Sequence, residues 1–222
     1  MAVSALDRWR MARYNAYRWR YELSLIKKIA LVLGLACATG LAAQIRLPLP
    51  WTPVPITGQT FAVLLVGVLL GRWYGGLSLA AYAGLGVAGL PWFTGWSGGV
   101  GHLAGPTGGY IIGFILAALF LGYFTDKYIR ARSFPSMLGL MLFANFVLIY
   151  IPGLLQLHLW LNLVGGGAAS FYQVLTMGLL PFIVGDVIKA IAAAGIAWGV
   201  TPKQAYNGEV DKDKWAGKPR NV

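Results

Sequence analysis

The sequence has 222 residues, of which 58% are hydrophobic and only 11% are charged, and its mean hydropathy is +0.65. A soluble domain of this length could not bury so much apolar surface in one core, so the composition excludes that class of protein. The formal net charge of +11 does not indicate a nucleic-acid interface, because the cations lie in short segments that flank apolar runs. That placement is typical of a membrane protein with a positive cytoplasmic side.

The first 24 residues are basic and aromatic, and they form a segment of their own. Arginines alternate with tryptophans and tyrosines, as in the run Arg18, Trp19, Arg20 and Tyr21. This composition is typical of an amphipathic helix that lies on an anionic bilayer surface. A docking surface for a protein partner is the alternative. We predict that residues 1–24 form a cytoplasmic arm.

Apolar runs fill most of the chain between residues 25 and 200. Short segments that are charged, proline-rich or glycine-rich separate them, which predicts six transmembrane helices. The predicted spans are 25–43, 58–70, 77–90, 110–124, 136–157 and 172–200. The sequence therefore predicts an all-α integral membrane protein, with one six-helix transmembrane bundle over residues 25–200.

The segments between these spans fall into a basic set and a proline- or glycine-rich set. The turn near Gly71, the segment 125–135 and the tail 201–222 carry most of the cations that lie beyond the arm. The long loops between helices 1 and 2, 3 and 4, and 5 and 6 carry few. Because cytoplasmic loops have an excess of Lys and Arg, we predict that both termini are cytoplasmic and that these three loops are external. The polar tail is predicted to be mobile.

Small residues spaced four apart line one face of the first predicted span. They are Ala30, Gly34, Ala38 and Ala42. Such a surface allows the close approach of another helix. That helix belongs either to a partner protein or to the same bundle, and the spacing alone does not distinguish the two.

A proline-rich loop follows the first span. Its sequence is QIRLPLPWTPVPIT, and its four prolines exclude a regular helix or sheet and predict a rigid, extended lid. Its polar and amphipathic side chains, together with one just beyond it, are Gln44, Arg46, Trp51, Thr57 and Gln59. Arg46, on the outer side, is suited to hold a carboxylate. An arginine that only snorkels at the bilayer interface is the alternative.

A second loop, 95–110, is dense in glycine and reads GWSGGVGHLAGPTGGY. No GK[ST] follows it, so a nucleotide-binding loop is not indicated. Glycines such as Gly98 and Gly99 are predicted to let backbone N–H groups approach a flat ligand. His102 has no second His, Asp or Glu at ligand spacing, and Cys37 is the single cysteine. No metal site is therefore predicted.

One acidic residue stands apart from the other six. Asp186 lies inside the last apolar run, and Lys189 follows three residues later on the same helix face. A charged group within a span costs about 2.5–3.5 kcal/mol, so it normally faces a cavity and is paired. We interpret Asp186 and Lys189 as the polar floor of a ligand cavity. An ion pair that only stabilises the bundle is the alternative. Pro181, upstream, is predicted to bend the helix where the pair begins.

Four segments of the chain resemble the BioY family, the biotin-specific S component of energy-coupling-factor (ECF) transporters. The first segment, 43–67, contains the proline-rich lid, and the second, 89–114, contains the motif GPTGGY. The third is 145–157, and the fourth, 180–190, contains the pattern GDxxKA. They occur in the family's order, and the resemblance covers about residues 26–200. The sequence departs from the family in its longer basic arm and at Gly58, where a leucine is more common.

The resemblance implies that the bundle captures biotin from outside the plasma membrane, beneath the first loop. Asp186 is the expected acceptor for the ureido N–H groups, and Lys189 is expected to donate to the ureido oxygen or to keep Asp186 ionised. Arg46 is the outer candidate for the biotin carboxylate. The full set of predicted substrate-binding residues is Asp186, Lys189, Arg46, Gln59, Trp92, Trp96, Gly98, Gly99 and Tyr110. The aromatic members are expected to form walls for the apolar parts of biotin.

The resemblance also implies partners. Small residues of the first span contact the transmembrane coupling subunit in this family, which assigns that contact to the small-residue face defined above. The sequence contains no Walker motif, so ATP hydrolysis is expected from two partner ATPases, and no cofactor is expected. Two alternatives remain. One is an S component for another vitamin, and the other is an intramembrane enzyme that uses Asp186, although a second carboxylate or a nucleophile–base pair is lacking.

Overall fold

A computed structural model of the chain describes residues 5–164 and 167–215, and helices account for most of this part of the chain. Two stretches of irregular helix interrupt the regular ones: a π-helical turn at Ala144–Ile149 and a 3-10 turn at Leu180–Phe182. A second 3-10 turn covers Arg130–Arg132. The remaining helices are α1 Ala5–Glu22, α2 Leu25–Gln44, α3 Gln59–Val87, α4 Val100–Ala104, α5 Gly108–Lys127, α6 Phe134–Phe143, α7 Tyr150–Leu163, α8 Phe171–Gly178, α9 Ile183–Val200 and α10 Lys212–Trp215.

Within the described residues, five helical stretches are long and apolar enough to cross a bilayer, as judged by length and composition. They are Leu25–Gln44, Gln59–Val87, Gly108–Lys127, Phe134–Leu163 and Phe171–Val200. Each has 20 to 30 residues, whereas a hydrocarbon core of roughly 30 Å needs about 20. The prediction of an all-helical, multi-pass membrane protein is confirmed at this level.

Helix α3 is a hairpin rather than a straight rod. Gly71 has φ 75° and ψ −177°, which breaks the helix into arms 59–70 and 72–87. Gln59 Nε2 donates to Tyr82 Oη at 2.8 Å. In a straight helix these residues would lie roughly 34 Å apart, at 1.5 Å per residue. The sequence predicted a turn over 71–76, and the observed reversal is tighter, because glycine alone accepts this backbone conformation easily.

Asp126, near the end of α5, holds this turn and connects it to the N-terminal arm. Its Oδ2 accepts from the Arg72 backbone N–H at 2.9 Å, and its Oδ1 accepts from Arg20 Nη2 at 3.1 Å. Arg20 also donates to the Leu69 carbonyl at 2.7 Å. Helix α1 therefore packs on the basic end of the bundle, and the predicted arm is part of the fold.

The tail also packs against this end, so the prediction of a mobile tail is wrong for residues 201–213. Arg132 Nη2 lies 2.6 Å from Glu209 Oε1, and neither side chain is exposed to solvent. Desolvation raises the pKa of Glu209, but its hydrogen bonds from Arg132 and from backbone N–H groups hold the pKa below its usual value. Asp211 accepts from the backbone N–H groups of Ile129 and Arg130. A buried arginine requires a partner, and the tail supplies it.

The prediction that the proline-rich lid contains no regular structure is also wrong, though only at its two ends. Strand β1, Arg46–Leu47, pairs antiparallel with β2, Ile56–Thr57. All four prolines lie between the paired residues, so no missing proline N–H interrupts the ladder. The loop is therefore a closed hairpin, and Thr52 Oγ1 fastens its tip by donating to the Met177 carbonyl at 2.7 Å.

The tight turn at Gly71 yields a test of the hairpin. We expect Gly71→Ala to destabilise the protein by about 1–3 kcal/mol, because a side chain strains this backbone conformation and its Cβ would clash with Asp126 Oδ2. Thermal unfolding in detergent measures the loss. Gly84→Ala on the same helix is the matched control, since nothing lies within 4 Å of its Cβ position. Equal unfolding midpoints for the two variants would contradict the hairpin geometry.

Candidate functional site

A cavity lies beneath the lid, between α3, α5, α7 and α9. Lid, glycine-rich loop and helices all contribute, and the lining residues are Val54, Pro55, Thr57, Gln59, Thr60, Thr94, His102, Thr107, Tyr110, Ile111, Phe114, Ile149, Tyr150, Phe182, Asp186 and Lys189. Most of the wall is apolar, and the charges are concentrated at one point.

That point is Asp186, whose side chain is 3% exposed. Its Oδ1 accepts from Lys189 Nζ at 2.8 Å and from Thr60 Oγ1 at 3.2 Å. Its Oδ2 accepts from Tyr150 Oη at 2.6 Å and from Asn145 Nδ2 at 3.0 Å. A carboxylate has about four lone-pair sites, and all four have a donor here. The charge is therefore both paired and fully hydrogen-bonded, which offsets the cost of burying it.

The two irregular helical turns explain how these donors converge. In an α-helix, residues five apart point about 140° away from each other, at 3.6 residues per turn. The π-helical turn widens the helix, and the Tyr150 N–H donates to the Asn145 carbonyl across five residues. Asn145 and Tyr150 thereby reach the same carboxylate.

The turn at Pro181 acts on the other side of the site. It ends one helix and lets α9 begin at Ile183, so that Asp186 lies in the first helical turn. The positive end of the helix dipole favours a negative charge at that position. The bend that the sequence predicted at Pro181 therefore has a defined electrostatic consequence for Asp186.

Lys189 retains one hydrogen-bond donor for a ligand. Its side chain is 20% exposed and lines the cavity. Two of its three N–H groups are directed to Asp186 and to Thr60 Oγ1, the latter at 3.2 Å. An ammonium group has three donors, so one remains for a bound molecule. Nearby, Asn145 Oδ1 is buried and has no hydrogen-bond partner among the described residues.

Two other predicted residues, Gln59 and Tyr110, also line the cavity, but both are engaged with the protein. Gln59 Oε1 accepts from Thr57 Oγ1 at 3.0 Å, and its Nε2 is the donor to Tyr82 described above. Tyr110 Oη donates to the Gly178 carbonyl at 2.8 Å, and its ring lies edge-on to Tyr150. These two residues shape the wall and fasten lid and helices to each other.

The other predicted ligand residues do not line this cavity. Trp92 packs on Gly40, and its Nε1 donates to the Tyr82 carbonyl at 2.9 Å. Trp96 is 64% exposed, and the Gly99 N–H donates to the Gly86 carbonyl at 2.7 Å. The loop thus folds back on α3, and this contact uses the Gly99 N–H group within the protein itself. Gly98 and Arg46 are exposed and lie outside the cavity. The role of all five in ligand binding remains a prediction.

His102 lies in the cavity wall although its sequence context marked it as an ordinary loop residue. Its ring stacks on Phe93 with centroids 4.8 Å apart, and its Nδ1 is 2.9 Å from Ser97 Oγ. Burial lowers the pKa of His102, so the ring is neutral at physiological pH. The described residues contain no group of three or more His, Cys, Asp or Glu suited to a metal ion.

Sequence reasoning missed three contributors to the floor: Thr60, Asn145 and Tyr150. Each is a polar side chain inside an apolar run, which is the same signal that identified Asp186. The signal is weaker for uncharged groups, because a hydroxyl or an amide can satisfy itself within its own helix. Their convergence also depends on the π-helical turn, which has no recognisable sequence pattern here.

The small-residue face of α2 points away from the bundle. Ala30, Gly34 and Ala38 are exposed, and nothing lies within 4 Å of the Cβ position of Gly34. Ala42, near the lid, is partly buried. The opposite face packs inward through Val32, Ala36, Thr39 and Ala43. The described part of the chain therefore leaves this face open along most of its length.

Fold and site together define a multi-pass helical membrane protein with a lidded cavity over a buried, paired carboxylate. The model of the BioY family matches residues 12–205 of this chain. The chain is a member of the BioY family.

Related proteins and one solved structure agree with this membership. A probable biotin transporter BioY of Methanothermobacter thermautotrophicus is 54% identical over 151 residues, covering 68% of this chain and 96% of that protein. The biotin transporter BioY of Thermotoga maritima is 38% identical over 67% of this chain and 82% of its own. A crystal structure of the S component for biotin from an ECF-type ABC transporter matches with a TM-score of 0.69 and 27% identity, covering 78% of this chain and 89% of that one.

Proposed function

We propose that this protein captures biotin and takes it up across the plasma membrane as the substrate-binding S component of an ECF-type transporter. The observation that carries the proposal is the lidded cavity whose floor is the Asp186–Lys189 pair. Family membership and the biotin-transporting relatives support it. Transport rather than catalysis follows, because family members move biotin and do not convert it.

The chemistry of biotin suits this cavity. Its bicycle and aliphatic chain match apolar walls such as Phe114, Ile149 and Phe182. Its ureido oxygen accepts a hydrogen bond, which the remaining Lys189 N–H can donate. Because Asp186 already has four donors, a ureido N–H binds there only by displacing or sharing one of the hydroxyl groups. Asp186 therefore serves first to hold Lys189, and Arg46 on the lid remains the candidate for the biotin carboxylate.

We further propose six membrane crossings with both termini in the cytoplasm. The α3 hairpin counts as two crossings, one per arm. Helix α1, the Gly71 turn and residues 201–213 meet at one end of the bundle, and this end carries most of the cations. The lid and the glycine-rich loop meet at the opposite end. That distribution favours a cytoplasmic basic end.

The partners are proposed to be the transmembrane coupling subunit and two ATPases. The open face of Ala30, Gly34 and Ala38 supports a close helix contact with the coupling subunit. No Walker motif is present in the sequence, so ATP acts through the ATPase partners. After capture, the bundle reorients in the membrane to release biotin. An S component for another vitamin is the nearest alternative, and an intramembrane enzyme that uses Asp186 is a more distant one.

Biotin binding to the purified protein tests the substrate and the site. We expect Asp186→Asn to weaken binding by about 1–3 kcal/mol, or roughly 5- to 150-fold, because Lys189 loses its ionic partner. Isothermal titration calorimetry measures the affinity. Asp213→Asn, an exposed acid in the tail, is the matched control and should bind as the unmodified protein does.

Two outcomes would contradict the assignment. Equal affinity in Asp186→Asn and Asp213→Asn would remove Asp186 from the site. A different vitamin that co-purifies with the protein, identified by mass spectrometry, would change the substrate and leave the site intact. Biotin should be recovered chemically unchanged after incubation, and conversion to another compound would favour the enzyme alternative.

Cysteine labelling tests the orientation. On a Cys37→Ala background, Trp51→Cys should react with an impermeant maleimide from outside the cell, because this exposed residue lies in the lid. Arg130→Cys, exposed at the basic end, should react only after the membrane is opened. Labelling of both positions from the same side of intact cells would refute the six-crossing topology.

A pair of tryptophan substitutions on α2 separates ligand binding from assembly. Ala38→Trp should leave biotin affinity and thermal stability unchanged while abolishing co-purification with the coupling subunit, because close helix approach is lost. Ala36→Trp, on the buried face of the same helix, should instead overpack the bundle and lower stability and binding together. An Ala38→Trp variant that is stable and still assembles would place this face against lipid.

A further inference from the structure

A second pocket lies at the basic end of the bundle, at the opposite end from the proposed biotin site. It lies between α1, the start of α2 and the Gly71 turn. Arg20, Lys28 and Arg72 contribute three cations, and Asp126 contributes one carboxylate, so the formal net charge is +2. Nothing in the biotin mechanism uses this pocket.

Each of the three cations lies over an aromatic ring that also lines the pocket. Arg72 Cζ is 4.4 Å from the Trp73 ring centroid, and Lys28 Nζ is 5.4 Å from that of Tyr74. Arg20 Cζ is 5.8 Å from that of Tyr21. An aromatic face holds a cation in place without neutralising it, and it leaves N–H groups free to donate. The pocket is therefore prepared for an anion.

The single carboxylate does not fill that role. Asp126 is already engaged by Arg20 and by the backbone N–H of Arg72. Among the described residues, no carboxylate lies within salt-bridge distance of the Lys28 ammonium or the Arg72 guanidinium. Two cations thus face the pocket without an anionic partner, and neither side chain is fully exposed.

The position of the pocket identifies the kind of anion. Lys28 lies in the first turn of α2, a candidate membrane span, so the pocket lies at the end of that span. The ends of a spanning helix are the parts that meet the lipid headgroups. Leu31 lies one turn deeper and gives the pocket an apolar base, while Trp73 is 69% exposed at its rim. Tryptophan at this depth is typical of the bilayer interface. A charged mouth over an apolar base matches an amphiphile better than a free ion.

We propose that this pocket binds an anionic phospholipid, with the headgroup phosphate held by Lys28 and Arg72 and the upper acyl chain against Leu31. The lipid joins α1 to the bundle beside the Arg20–Asp126 contact. The N-terminal arm thereby reads the composition of the cytoplasmic leaflet. This inference is independent of the transported substrate.

Binding of short-chain lipids to the full-length protein in neutral detergent tests the proposal. Dihexanoyl-phosphatidylglycerol, titrated in calorimetry at physiological salt, should bind the unmodified protein more tightly than dihexanoyl-phosphatidylcholine or inorganic phosphate. Lys28→Gln combined with Arg72→Gln should lower the affinity for phosphatidylglycerol about 30-fold, since each cation near a lipid headgroup contributes roughly fivefold. Lys28→Gln alone provides a second, milder variant.

Lys27→Gln is the matched control, because Lys27 is exposed, adjacent in sequence and outside the pocket. It should bind phosphatidylglycerol as the unmodified protein does. Biotin affinity should be unchanged in every variant, which verifies that the bundle is intact. Equal loss in Lys27→Gln and Lys28→Gln would overturn a specific pocket. The proposal would also be overturned if inorganic phosphate or phosphatidylcholine bound as tightly as phosphatidylglycerol. A double variant that still binds phosphatidylglycerol but no longer co-purifies with the coupling subunit would overturn it as well.

Discussion

A buried carboxylate within a membrane-spanning helix constrains the whole lidded half of this protein. Asp186 obtains donors from α3, α9 and the helical stretch around the π-helical turn. Three separate elements must therefore meet at one point. Removing the donor from any one of them leaves part of the buried carboxylate without a hydrogen bond, at a cost of about 1–3 kcal/mol. The convergence of these elements forms the floor of the cavity.

The same constraint explains which parts of the site are readable from sequence. Asp186 and Lys189 stand out because charges are rare in apolar runs, and the Gly71 turn stands out because Arg72 follows it between two apolar runs. The donors Asn145 and Tyr150 converge only through a π-helical turn that no local pattern specifies. The glycine-rich loop invited a ligand interpretation, but the Gly99 N–H is used by the protein itself. Such tertiary hydrogen bonds cannot be inferred from spacing.

The two ends of the bundle are held by different kinds of interaction. At the basic end, charged groups join α1, α5 and the tail, and the Arg132–Glu209 pair has no solvent exposure. At the lidded end, neutral hydrogen bonds such as Thr52 to Met177 connect the loops to the helices. Breaking a neutral hydrogen bond costs about 0.5–1.5 kcal/mol, whereas breaking a buried ion pair costs about 3–5 kcal/mol. The individual interactions that hold the lidded end are thus weaker than those that hold the basic end.

The first arm of α3 connects these two ends. Thr60, near its start, donates to the cavity carboxylate, and the Leu69 carbonyl, near its finish, accepts from Arg20. The arm between them is a short, regular helix that ends at the Gly71 reversal. The arm therefore joins the floor of the cavity to the contact of α1 with Asp126 at the basic end, because Thr60 and the Leu69 carbonyl belong to one regular helix. The spacing between the two contacts is fixed by the rise of that helix.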